Sequence, residues 1–211
     1  MKSVVFASGR GSNFAALIDA AQRDQLGGAT LEALIVNKPG CGALDHARSA
    51  GIPAALVDHK AFSSRHDFEQ GLLEAIEPFE VELIILAGFM RILTPYFLER
   101  APCPIVNLHP SLLPSFPGAH ALEDAFAAKV RAGGCSTHLV TAVVDEGPLL
   151  MQGVVPLHPD DALEDFAARV HRMEHRLLPA TVAALATGSL RPADGGVQTA
   201  KGLQTCLIEP S

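Results

Sequence analysis

Val4-Val5-Phe6-Ala7-Ser8-Gly9-Arg10-Gly11-Ser12-Asn13-Phe14 reads as an apolar run, a loop with two glycines and the start of a helix. Four consecutive apolar residues make a buried strand. Phe14, Leu17, Ile18 and Ala21 then recur at i, i+3, i+4 and i+7, the spacing of one helix face. Strand, glycine loop, helix is the opening of a β-α-β unit, whose next strand lies parallel to the first.

The alternation continues outward from this stretch. Residues 31–36, 52–57, 81–86 and 105–108 read as further strands, and residues 43–50 and a face carrying Phe68, Leu72 and Ile76 read as the helices between them. Thr94-Pro95 reads as the N-cap and first position of a helix ending near Arg100. Beyond a proline-rich loop at 110–118, residues 123–131 read as a helix and 136–144 and 149–155 as two longer strands. Asp161 reads as the cap of a last helix, with Pro179 as its kink or break. The expected fold is α/β: a single-domain, Rossmann-like, open and mostly parallel twisted sheet with helices on both faces, and an antiparallel strand addition near the C-terminal part.

With 211 residues, 48% hydrophobic and 18% charged, the chain has material for one sizeable core. Its 16 basic and 23 acidic residues leave a net charge of −7, which disfavours a nucleic-acid or anionic-membrane face. The longest apolar run, 83–90, is far too short to span a bilayer, and residues 4–7 are too short for a signal-peptide core. A cytoplasmic protein is expected. Cys41, Cys103, Cys135 and Cys206 form no C-x-x-C pair and read as reduced thiols.

Three places carry chemistry. The loop at 9–13 suits a phosphate, because glycines allow close backbone approach and the helix N-terminus offers N–H groups and partial positive charge. A tight turn capped at Ser12 or Asn13 is the plainer alternative. It is not a dinucleotide fingerprint, since Phe14 stands at the third glycine position, and G-K-[ST] is missing for a P-loop. Asn107 and His109, two apart at the end of the fifth strand, point the same way, and a carboxamide beside an imidazole can stabilise an oxyanion and move a proton. A satisfied structural pair is the alternative there. Asp145, in the turn between the two long strands, would favour the charged imidazole if it lies close. His171-Arg172-Met173-Glu174-His175 matches H-x-x-E-H, which leaves a zinc site on His171 and His175 open. Among the other histidines, His120 and His138 are the candidates for a site.

Taken together, Ser8-Gly9-Arg10-Gly11-Ser12-Asn13, Ala87-Gly88-Phe89-Met90-Arg91-Ile92-Leu93, the stretch from Asn107 through His109 and Pro110 to Pro114, and Ser136-Thr137-His138 leading to Asp145 resemble the phosphoribosylglycinamide formyltransferases. The resemblance runs over residues 2–190; a catalytic domain is expected over 1–190, with 191–211 an unassigned tail. It implies Asn107, His109 and Asp145 as catalytic residues. It also implies Gly11, Ser12, Asn13, His171, Arg172, Met173 and Glu174 as the contacts to glycinamide ribonucleotide. Arg65, Met90, Arg91, Ile92 and Leu93, with Asn107 and the loop of Thr141, Ala142, Val143, Val144 and Asp145, are the implied folate contacts. The implied reaction takes a formyl group from 10-formyltetrahydrofolate, a cosubstrate, without a metal, in a monomer or homodimer. Formyltetrahydrofolate deformylase shares the same catalytic core and is the near alternative. A zinc peptidase and a catalytically silent ligand-binding domain are remoter ones.

Overall fold

A computed structural model of the chain describes residues 1–193 and 196–209. Its contacts gather into two compact units, Met1–Val106 and Asn107–Ser211.

In the first unit β1 (Lys2–Ala7) pairs in parallel with β2 (Thr30–Val36) on one side and β4 (Leu83–Leu86) on the other. β3 (Ala54–Leu56) pairs in parallel with β2, giving the order β3-β2-β1-β4. The chain therefore steps outward from β1 to β3 and then crosses back past β1. Parallel crossovers are right-handed, so reversing direction changes the face on which the connecting helix lies. α1 (Ser12–Gln22) and α2 (Ala43–Ala50) fall on one face and pack together. α3 (Arg65–Ile76) falls on the other and packs with α4 (Pro95–Arg100). The order reverses between β1 and β4, which is where open α/β sheets hold ligands at their strand C-termini. There Ser8 donates its N–H to the Gly88 carbonyl at 3.1 Å.

β5 (Ile105–His109) carries the chain into the second unit. After α5 (Ala121–Ala127), β6 (Ala132–Leu139) and β7 (Leu149–Pro156) pair antiparallel, and α6 (Leu163–Ala186) packs over both. β8 (Leu190–Ala193) and β9 (Gly196–Thr199) form a separate antiparallel hairpin, and β10 (Cys206–Ile208) adds to β7 in parallel. Parallel pairing with an antiparallel addition toward the C-terminus is the arrangement expected.

Several boundaries differ from the sequence reading. β3 is only three residues long, because Ile52 still donates its N–H to Ala47 of α2. α5 starts and stops earlier than 123–131. β6 covers 132–139 rather than 136–144, since its glycines serve packing and the apolar Val143 and Val144 lie exposed in the following loop. α1 is capped by Gly11, not by Ser12 or Asn13. α6 starts after Ala162, and Asp161 accepts from the His158 N–H and the Arg169 guanidinium instead of capping the helix. Pro179 does not break α6; the buried residues Leu177, Leu178, Thr181 and Val182 around it hold the helix through the missing N–H.

Gly133 and Gly153 let α6 settle on the sheet. A Cβ at Gly133 would stand 2.4 Å from Phe166 Cζ, and one at Gly153 would stand 2.3 Å from Met173 Cγ. Phe166 is fully buried and has nowhere to swing. Gly133→Ala is expected to destabilise the fold by about 2 kcal/mol, as overpacked cores do. A lowered urea midpoint at unchanged slope would report this; an unchanged midpoint would mean that α6 lifts freely.

Candidate active site

The site begins at the end of β5, where Asn107 and His109 leave the strand on the same side. Asn107 Nδ2 lies 3.1 Å from His138 Nε2, and His138 Nδ1 lies 3.0 Å from the Leu139 carbonyl oxygen. A carbonyl only accepts, so Nδ1 carries the proton it shares with Leu139 and Nε2 receives the Asn107 amide. This orientation leaves the Asn107 carbonyl oxygen and its second N–H for other partners.

His109 has a different surrounding. Its Nε2–H donates to the Phe116 carbonyl at 3.0 Å, and its Nδ1 faces Asp145 Oδ2 at 3.5 Å. Both neighbours are acceptors, so the doubly protonated ring is the form that donates toward both.

Asp145 links the two imidazoles. Its Oδ1 stands 3.6 Å from His138 Nε2, and its Oδ2 accepts the Gly118 N–H at 2.9 Å. The side chain is 8% exposed. The His138 ring foremost, then the Gly118 N–H and the charge of His109, hold its carboxyl below the usual carboxylate range, outweighing the burial that pushes it up. Its backbone is left-handed, with φ of 57°, a conformation Asp tolerates better than most residues. Gly147 closes the same turn so tightly that a Cβ there would stand 1.7 Å from the Leu139 carbonyl oxygen.

Asn107, His109 and Asp145 thus stand together, and His138 joins them. Sequence reasoning carried His138 only as a candidate, and its place within Ser136-Thr137-His138 was the available signal. His120 lies exposed just before α5.

In the first unit Arg65, Met90, Arg91 and Ile92 line a cavity of about 470 Å³, together with His59 and Phe68. Leu93 is buried in the core next to it. In the second unit Thr141, Ala142, Val143 and Val144 are all exposed, and Asp145 alone turns its side chain inward.

The glycine loop is held by its neighbours. Gly11 has φ of 81°, and a Cβ there would come within 2.6 Å of Ala43 Cα. Cys41 Sγ donates to the Gly9 carbonyl at 2.9 Å. α1 opens with neither a capping side-chain hydrogen bond nor an acidic residue in its first turn. On α6, Met173 and Glu174 are buried and Arg172 is exposed, 3.5 Å from Glu209. His171 Nδ1 lies 3.0 Å from Glu174 Oε2. Burial pushes His175 below the usual imidazole range. Among the described residues no three His, Cys, Asp or Glu side chains group as a metal requires.

A carboxamide, an imidazole between two acceptors and a buried carboxylate near a strand C-terminus form a set of groups whose chemistry suits acid–base group transfer. The family model for formyl transferase matches residues 1–182. The chain is 38% identical to the phosphoribosylglycinamide formyltransferase of Escherichia coli (strain K12), over 90% of each chain. It is 40% identical to the trifunctional purine biosynthetic protein adenosine-3 of Gallus gallus over 93% of its own length, and spans 19% of that relative. Among solved structures it is similar to glycinamide ribonucleotide transformylase 1 from Symbiobacterium toebii, with 35% identity and a TM-score of 0.91, covering 95% of this chain and 94% of that one. It is likewise similar to phosphoribosylglycinamide formyltransferase from Anaplasma phagocytophilum, with 34% identity and a TM-score of 0.90, covering 100% and 99%. The chain belongs to the formyl transferase family.

Proposed function

We propose that the chain transfers the formyl group of 10-formyltetrahydrofolate to the amine of glycinamide ribonucleotide, a step of purine biosynthesis. The observation that carries this reading is the cluster of Asn107, His109, His138 and Asp145 in a member of this family. As the amine adds to the formyl carbon, negative charge develops on the formyl oxygen. The second N–H of Asn107 and the charged ring of His109 stabilise that charge. The His109 Nε2–H that donates to Phe116 is the donor a formyl oxygen would compete for. The attacking amine sheds a proton and the folate nitrogen gains one as its bond to the formyl carbon breaks; His109 manages that exchange, directly or through water. Asp145 supports the positive ring throughout.

The residues present fit the two ligands. The cavity at Arg65, Arg91 and Ile92 joins apolar walls to two guanidinium groups, which suits a ring system with an anionic tail. The glycine loop and the N-terminus of α1 suit the ribonucleotide phosphate. A net charge of −7 is compatible with both, since small anions are held by local groups rather than by a basic surface.

The test follows tetrahydrofolate release from 10-formyltetrahydrofolate with and without glycinamide ribonucleotide. Release that depends on the ribonucleotide is expected. Release without it would identify the deformylase, and no release would contradict both.

A further inference from the structure

Glu69 lies on α3, one turn after Arg65, and is 1% exposed. A carboxylate this deep needs donors. It has them: two come from Thr94, which follows the 90–92 stretch of the cavity wall, and the third partner is Arg65 in that wall. Its Oε1 accepts the Thr94 N–H at 2.8 Å, its Oε2 accepts the Thr94 hydroxyl, and Arg65 Nε stands 3.7 Å from Oε1. Arg65 Nη2 in turn donates to the Ile92 carbonyl. At the other end of the same segment the Met90 N–H donates to Ser8 Oγ at 2.8 Å, and Ser8 donates to Asn37 Oδ1 at 2.6 Å. The segment 90–94 is thus pinned at Met90, Ile92 and Thr94, and two of these pins converge on Glu69. Packing does little for the outer residues, since Met90 is 66% and Ile92 61% exposed.

We propose that Glu69 is a positioning residue for the formyl donor: its carboxylate ties Thr94 and Arg65 together and so fixes both the 90–94 backbone and the Arg65 guanidinium at the cavity wall. Of the five guanidinium N–H groups, Nε–H faces Glu69 and one Nη2–H serves Ile92, so three remain for an anionic group of the donor. Arg65 is half-exposed, and without Glu69 it loses the charge that holds it on this wall. The role rests on the reading of this cavity as the donor site.

Glu69→Gln and Thr94→Val separate the parts of the tie. Gln keeps the volume and can still accept the Thr94 N–H while donating to its hydroxyl, but it removes the charge facing Arg65. Val keeps the shape of Thr94 and removes the hydroxyl donor. Each variant is expected to raise KM for 10-formyltetrahydrofolate by roughly tenfold, the loss of one charge-assisted interaction. Both should leave kcat and KM for glycinamide ribonucleotide within about twofold, because the acid–base groups are untouched. Glu69→Asp, which keeps the charge, should recover part of the donor KM. Amide exchange at residues 92–94 should speed up in both variants, with the thermal midpoint of each showing that it folds. If Glu69→Gln does not fold, Thr94→Val carries the test. An unchanged donor KM in the folded variants, or a loss shared equally by kcat and both KM values, overturns the role. A wild-type enzyme without ribonucleotide-dependent release overturns the functional reading itself, a result visible before any variant is made.

Discussion

His109→Ala is expected to lower kcat by about a thousandfold, the scale of losing an acid–base group together with a charge that stabilises an oxyanion. The reason lies in its two neighbours. Phe116 and Asp145 are both acceptors, so the ring in its protonated form donates toward each, with its Nε2–H edge available to whichever oxygen competes with the Phe116 carbonyl. Alanine leaves the Phe116 carbonyl and the Asp145 carboxylate without that donor and leaves the formyl oxygen without a charge. The fold should survive, because β5 is held by the buried residues Ile105, Val106 and Leu108. KM for either substrate should change little, since the ring acts mainly on the transition state. Steady-state kinetics on the folded variant check this; a kcat within tenfold of wild type would remove His109 from the chemistry.

Asp145→Asn is expected to lower kcat on the same scale, by about a thousandfold, although only one oxygen becomes nitrogen; removing the carboxylate that orients a catalytic imidazole has effects of this order elsewhere. Asn can still accept the Gly118 N–H through its carbonyl, which keeps that oxygen facing His109 Nδ1 and turns its NH₂ toward His138 Nε2, so the geometry is kept while the negative charge is lost. The ring loses its counter-charge.

A pH dependence of stability goes with this. The Asp145 carboxyl is held below its usual range in the fold, so its contribution is fully present above the unfolded value of about 3.9 and is lost as pH falls through the folded value. Urea unfolding should therefore find wild type more stable than Asp145→Asn at pH 7, with the gap closing below about pH 4. A gap that widens in acid would contradict the sign. An acid limb of kcat above pH 5 should not be assigned to Asp145, which stays ionised there.

Much of this was legible because it depends on local rules. The repeated strand-helix alternation made the parallel first unit readable, and the i, i+2 spacing of Asn107 and His109 placed both on one side of β5. The loop at Gly9 to Asn13 was readable as a turn feeding a helix, although its cap is Gly11, held by a close approach to Ala43 that only the fold reveals. The misplacement of β6 has a physical source. Gly133 and Gly134 look like turn residues, yet they are strand residues, Gly133 making room for Phe166 of α6 and Gly134 for the β7 backbone at Gly153, while Val143 and Val144 look like strand and stand exposed in a loop. Thr94 is the N-cap residue of α4 ahead of Pro95, as the sequence predicts, but its hydroxyl goes to Glu69 on another helix rather than to the first turn of α4. Pro179 was expected to interrupt α6, and the buried residues on either side override the lost hydrogen bond. Proximity was the part that no periodicity encodes. Nothing in the spacing of 107, 109, 138 and 145 says that two imidazoles share one carboxylate, nor that Glu69 and Arg65 meet the backbone of Ile92 and Thr94.

In the proposed reaction the formyl group ends on the ribonucleotide amine. The most direct measurement supplies 10-formyltetrahydrofolate with isotopically labelled formyl carbon, adds glycinamide ribonucleotide, and asks where the label goes. Label is expected in the formylated ribonucleotide, one per tetrahydrofolate released. Label recovered as free formate, at a rate indifferent to the ribonucleotide, would contradict it.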